Sequence, residues 1–185
     1  PSSFNSLVGL RPTIGLSSRS GIVPLALSQD TGGPMTRNVL DAAITLDATV
    51  GFDPKDPITA SSTGNIPDSY TDFLQTNGLQ GARIGVVRDL FGSNADPEFA
   101  QVNAVIDEAI AFMTAAGATV VDSVTIPELS QILASPSLSA FEFRYDLEDY
   151  LAAEPNAPFS TLQEIIDSGL FLPSNESTLI ARNAV

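Results

Sequence analysis

The pattern of apolar and polar positions changes character several times along this chain. From 1 to 34 no periodicity of helical length survives, because Gly9, Pro12, Gly15, Gly21, Pro24, Gly32, Gly33 and Pro34 interrupt it. Such punctuation permits short extended pieces, at Leu7-Val8 and Ile22-Val23, joined by turns. From Pro34 to Gly51 the pattern becomes helical. Val39, Ala43, Leu46 and Val50 recur on one face, Thr36 is placed to cap the start and Gly51 to stop the end. Residues 52–80, with DPKDP and SSTGNIPDS, predict a long surface loop with one short helical turn.

The rest is more regular. Ala82 to Val87, ARIGVV, predicts a short apolar strand. Asp96-Pro97 opens a helix carrying Phe99, Val102, Ile106, Ala109, Met113 and Ala116 at helical spacing, and Gly117 ends it. Ala118 to Ile126, ATVVDSVTI, predicts a second strand, stopped by Pro127. Strand, helix, strand at this spacing is a parallel βαβ unit, expected right-handed. Glu128 to Ala153 predicts helix with a break near Pro136, and Thr161 to Ser168 another, turned at Gly169. Three segments result: a core segment over 1–51, a surface loop over 52–80, and a βαβ and helical segment over 81–185.

Composition narrows the function classes. Apolar residues are 43% and charged residues 16% of the 185, which indicates a globular chain. The net charge is −14 and Lys55 is the only lysine, which leaves no basic patch for nucleic acid or an anionic membrane surface. No apolar run is long enough to span a bilayer. The chain has no Cys, so disulfides, cysteine nucleophiles and thiolate metal sites are excluded within it. It has no His, so neither a Ser-His-Asp triad nor a His-ligated zinc site can be built from it. A hydrolase made from such a chain needs another base, such as Lys.

Candidate chemistry is sparse outside the opening. GVVRDLFGS has Gly85 and Gly92 but neither a dinucleotide nor a phosphate-loop pattern, so it predicts ordinary strand–loop–helix packing. Asp146, Glu148 and Asp149 lack calcium-loop spacing and predict a solvated helix face. Asn175-Glu176-Ser177 is a glycosylation triplet, relevant only to a secreted protein. The Gly/Ser/Thr-rich opening suits backbone arranged around a reacting group. Within it, Gln29 and Thr31 are neutral hydrogen-bonding groups suited to an amide substrate. Asp30 and Arg37 stand on either side of Gly32-Gly33-Pro34, where an ion pair would pin the turn.

FNSLVGLRPTIGLSSRSGIVP, followed by SQDTGGPMTR, VLDAA and GFDPKDP, resembles the amidase signature family. LQGARIGVV, AGATVV and AFEFRYDLEDYL are similar to that family's downstream segments. The resemblance implies an α/β fold, a large mixed sheet wrapped by helices, of which this chain is a C-terminal-side portion. It implies amide hydrolysis by a Ser–Ser–Lys triad, with backbone amides binding the oxyanion, and no cofactor or metal. None of the triad maps onto a residue here. The family's nucleophile falls just before the position of Pro1, Lys55 lies far from the expected place, and Ser2, Ser3 and Ser6 follow the nucleophile site. The chain is thus expected to begin downstream of the catalytic serine, to be inactive alone, to expose apolar edges, and to be either poorly soluble alone or bound to its N-terminal part.

By the same resemblance, Pro1 to Asn5 are expected to buttress the nucleophile loop. Gln29, Asp30 and Thr31 line or support the substrate pocket, and Arg37 holds the turn. Phe141 and Phe143 are core residues or, less directly, a wall of the acyl pocket. SQDT and FEFRYDLEDYL look more like free-standing amidases than the amidase-type subunit of tRNA-dependent amidotransferases, which stays an alternative, as does a non-enzymatic scaffold. The partners implied are a small-molecule amide, the N-terminal part of the same enzyme and, as an open alternative, a second copy in a homodimer.

Overall fold

The computed structural model describes all 185 residues. In chain order, the regular elements are strands β1 (Val8–Gly9) and β2 (Met35–Thr36), helix α1 (Val39–Thr49), strand β3 (Arg83–Val86), helix α2 (Pro97–Ala115), strand β4 (Thr119–Asp122), and helices α3 (Leu129–Ala134), α4 (Ser139–Ala153), α5 (Leu162–Ser168) and α6 (Glu176–Asn183). Single 3-10 turns punctuate the loops, including Pro57–Ser62 and Tyr70–Phe73 within the predicted 52–80 loop. The chain forms two compact units, one of Pro1–Asp72 with Pro136–Val185, the other Phe73–Ser135.

In the first unit β1 and β2 pair antiparallel, Val8 opposite Thr36 and Gly9 opposite Met35. The expected extended piece at Ile22-Val23 is instead a turn: Ile22 N–H donates to the Arg19 carbonyl at 3.0 Å, and both side chains are exposed. α1 starts later than Thr36 would place it. Asn38 is its cap, accepting the Asp41 N–H at 2.8 Å, because Thr36 is already committed to the ladder. Its buried side chains are Ala42, Ala43 and Leu46, while Val39 is exposed and Val50 ends the helix in extended backbone. Gly51 follows with φ 139°.

The C-terminal helices join this unit. The break expected near Pro136 is present, between α3 and α4. α5 is capped by Thr161, which accepts the Glu164 N–H, and stopped by Gly169 at φ 67°, the left-handed conformation a Cβ disfavours. Its Leu162 is fully buried. α6, a helix the periodicity did not reveal, begins within the glycosylation triplet. Arg182 on α6 lies 4.9 Å over the Phe143 ring and donates to Ser139 Oγ at 3.1 Å. Phe143 is thus half-buried under a guanidinium, and Phe141 is about half exposed rather than a core residue.

In the second unit β3 and β4 pair parallel around α2, Arg83 opposite Thr119 through Val86 opposite Asp122. Asp96 caps α2 through the Glu98 N–H, with Pro97 in the first turn, as the sequence predicts. β4 is shorter than the apolar run, because Ser123 turns to φ 67°. Arg88 joins β4 to α2 by bonds to Asp122 and Asp107 at 2.7 and 2.6 Å. The apolar stripe of α2 does not close into a core. Phe99, Val102 and Ile106 line an open groove of about 480 Å³ with Ile84 and Val86. The strands of this chain therefore form two separate two-stranded ladders, the part of the α/β architecture that this span carries.

Candidate functional site

The Gly/Pro-rich opening folds into a groove of about 720 Å³ whose lining includes Ser2, Ser3, Gly9, Arg11, Gln29, Asp30 and Thr31. Local sequence explains its walls. Ser3–Asn5 form a single 3-10 turn, closed by Asn5 and Leu7 N–H bonds to the Ser2 carbonyl, both at 3.0 Å. Leu10 N–H bonds the Pro34 carbonyl at 3.1 Å, so the chain around Leu10 runs against the Gly33-Pro34 turn. A Cβ on Gly33 would collide with the Leu10 carbonyl oxygen and stand 2.7 Å from Pro12 Cδ. That approach is open only to glycine.

Gln29, Asp30 and Thr31 border this groove, and Arg37 does not. Asp30 does not pair with Arg37. Its Oδ2 accepts the N–H groups of Leu25 and Ala26 at 2.7 and 3.0 Å, closing the loop that precedes it, and Arg37 forms no ion pair. A carboxylate four and five residues after two free amides satisfies them locally, at less entropic cost than reaching across a glycine-rich turn to a long flexible side chain.

The loop beneath Gln29 is held by charged groups from distant sequence. Arg11 donates to the Gln29 carbonyl and Arg19 to the Leu27 carbonyl. Leu27 N–H donates to Asp146 Oδ2 at 2.7 Å. Ser28 gives its Oγ–H to Glu142 Oε1 at 2.7 Å and its N–H to Oε2 at 3.2 Å. The acidic run of α4 is therefore not simply a solvated face. Glu148 accepts the Leu162 N–H at 3.2 Å and lies 3.7 Å from Arg144.

Arg19 also fastens a second motif. It grips Asp56 of the DPKDP loop through Nη2, Nε and its own backbone N–H at 2.6, 2.9 and 2.8 Å. That hydrogen bonding holds the Asp56 carboxyl below the usual carboxylate range and raises the guanidinium. Ser18 Oγ donates to Asp53 Oδ2 at 2.6 Å and, as the largest cause, lowers that carboxyl too. Thr59, wholly buried, accepts the Asp53 N–H at 2.8 Å and donates to the Asp56 carbonyl at 2.7 Å. Arg11, Arg19, Asp56, Glu142 and Asp146 were not among the candidate site residues. All five stand inside the family-like segments FNSLVGLRPTIGLSSRSGIVP, GFDPKDP and AFEFRYDLEDYL, which is the signal that could have found them.

Comparison with known proteins decides what this assembly belongs to. A family model described as Amidase matches residues 1–178. The chain belongs to the amidase family. A probable amidase of Arabidopsis thaliana is 36% identical over 172 residues, which covers 90% of this chain and 31% of that protein. A glutamyl-tRNA(Gln) amidotransferase subunit of Microcystis aeruginosa is 38% identical over 163 residues, 88% of this chain and 29% of that protein. Among solved structures, native peptide amidase from Stenotrophomonas maltophilia is similar with a TM-score of 0.81 at 35% identity, covering 98% of this chain and 37% of that one. The chain thus spans about a third of the length of the amidase relatives it matches. Its fold is part of the amidase α/β fold.

Proposed function

We propose that this chain forms part of an amidase that hydrolyses a carboxylic amide to an acid and ammonia or an amine. The observation that carries the reading is the groove that Ser2, Ser3, Gln29 and Thr31 line together within an amidase-family chain. Three reacting groups lie in sequence preceding Pro1: a nucleophilic Ser, a bridging Ser and a Lys. The nucleophile's oxygen attacks the amide carbonyl while its proton passes through the bridging Ser to the Lys. The amine leaves with that proton, and water then cleaves the acyl-enzyme to the acid. The absence of His and Cys here is consistent with that set of groups. Gln29 and Thr31 supply neutral donors and acceptors to the amide, and Pro1 to Asn5 support the nucleophile loop.

A serine-directed fluorophosphonate, applied to the complete enzyme, tests this. Labelling that a small neutral amide slows, with release of ammonia or amine from that amide, is expected. An unlabelled, inactive complete chain would leave a catalytically silent amidase-fold scaffold instead. A second reading, an ammonia-supplying component of an amidotransferase, draws on the 38% identity to the Microcystis protein. Glutaminase activity that appears only with a partner protein would favour it.

A further inference from the structure

We infer that Glu142 and Asp146 of α4 are positioning residues for the loop that carries Gln29 and Thr31 into the groove. This rests on the reading of that groove as the amide site. The two carboxylates are one helical turn apart on α4 and more than a hundred residues from the loop in sequence. Like charges at that spacing on one helix repel. Here each is turned to a separate set of donors, Asp146 to Leu27 N–H and Glu142 to Ser28 N–H and Oγ–H. Charge-assisted bonds of this kind are stronger than neutral ones and offset the repulsion.

The opposite side of the same backbone is held by cations. Arg19 takes the Leu27 carbonyl and Arg11 the Gln29 carbonyl. Leu27 is thus bound through its N–H by an anion and through its carbonyl by a cation. No helix or strand stiffens residues 25–31; a backbone turn onto the Ala26 carbonyl and the Asp30 carboxylate close the loop on itself, and these side chains tie it to the rest of the fold. They grip backbone only, apart from the Ser28 hydroxyl. The side chains of Gln29 and Thr31 line the groove without an intramolecular hydrogen bond and are left to the ligand.

The test uses the complete amidase and two readouts. Hydrogen exchange at the Leu27 and Ser28 amides is slow in the unmodified enzyme and accelerates in Asp146→Ala and Glu142→Ala respectively. Steady-state kinetics on a small neutral amide give a KM raised about fivefold in Glu142→Ala, largely restored in Glu142→Gln, which keeps an acceptor oxygen. In a Gln29→Ala background the Glu142→Ala effect is reduced, because part of it acts through Gln29 and the rest through Thr31. Exchange rates unchanged by either substitution, or kinetic losses that simply multiply, overturn the positioning role. An enzyme that hydrolyses no amide overturns the proposed function instead, and amide exchange then decides the clamp by itself.

Discussion

Arg19 and Asp56 meet side by side, Nη2 2.6 Å from Oδ1 and Nε 2.9 Å from Oδ2, with both side chains about nine-tenths buried. The pair ties the SSRS turn to the DPKDP loop. Removing one partner strands a charge that burial has already stripped of water, which costs more than the pair contributes. Asp56→Ala should therefore destabilise the protein by about 3 kcal/mol in urea unfolding. Arg19→Lys should recover only part of the native stability, since an ammonium cannot make the two-pronged contact. A loss below about 1 kcal/mol for Asp56→Ala would show that the pair is solvated.

The same contacts give acid lability. Asp56 and Asp53 both titrate below their ordinary range, the first through Arg19 and the second through Ser18. A carboxyl depressed on folding contributes stability above its unfolded value, about 4, and that contribution is lost as pH falls through the folded value. Thermal unfolding midpoints should drop as pH falls below about 4, and Arg19→Ala should flatten that part of the profile. An equal acid slope in Arg19→Ala would place the sensitivity elsewhere.

Gly33→Ala should damage the groove through contact rather than backbone conformation. Its Cβ would collide with the Leu10 carbonyl oxygen, and that oxygen belongs to backbone rather than to a yielding side chain. We expect a loss of about 1–3 kcal/mol, typical of overpacking, seen as a lowered unfolding midpoint. Unaltered stability would mean that the segments around Leu10 and Gly33 part freely.

Gln29→Ala in the complete enzyme should cut kcat/KM for a small amide about tenfold and leave the unfolding midpoint in place. Its side chain is exposed and lines the groove, so nothing in the fold depends on it. Wild-type kinetics would remove Gln29 from substrate recognition.

The cap of α1 separates two neighbouring residues. Asn38→Ala should cost about 1 kcal/mol, because Asn38 accepts the Asp41 N–H. Thr36→Ala should lose only the bond from its hydroxyl to the Asn38 carbonyl, at 2.8 Å, and cost less. Equal losses in chemical denaturation would contradict this order.

The elements that depend on near neighbours were legible from the chain alone. α2 with its Asp96-Pro97 start, the β3–β4 pair, the interruption near Pro136 and the Thr161–Gly169 bounds of α5 all follow from side chains within a few residues of the element they shape. So did the family resemblance, whose motifs keep order and spacing, and the position of Gln29 beside a tight glycine turn. Tertiary structure decided the partners of the charged groups. Asp30 satisfies two nearby amides instead of Arg37, Arg19 finds Asp56, and two carboxylates of α4 reach back to Leu27 and Ser28. A charge can pair with any opposite charge or free amide that folding brings close, and side-chain periodicity records only which face is apolar. The open groove of α2 has the same origin: spacing predicts the apolar stripe, but only the arrangement of the whole chain determines whether anything covers it.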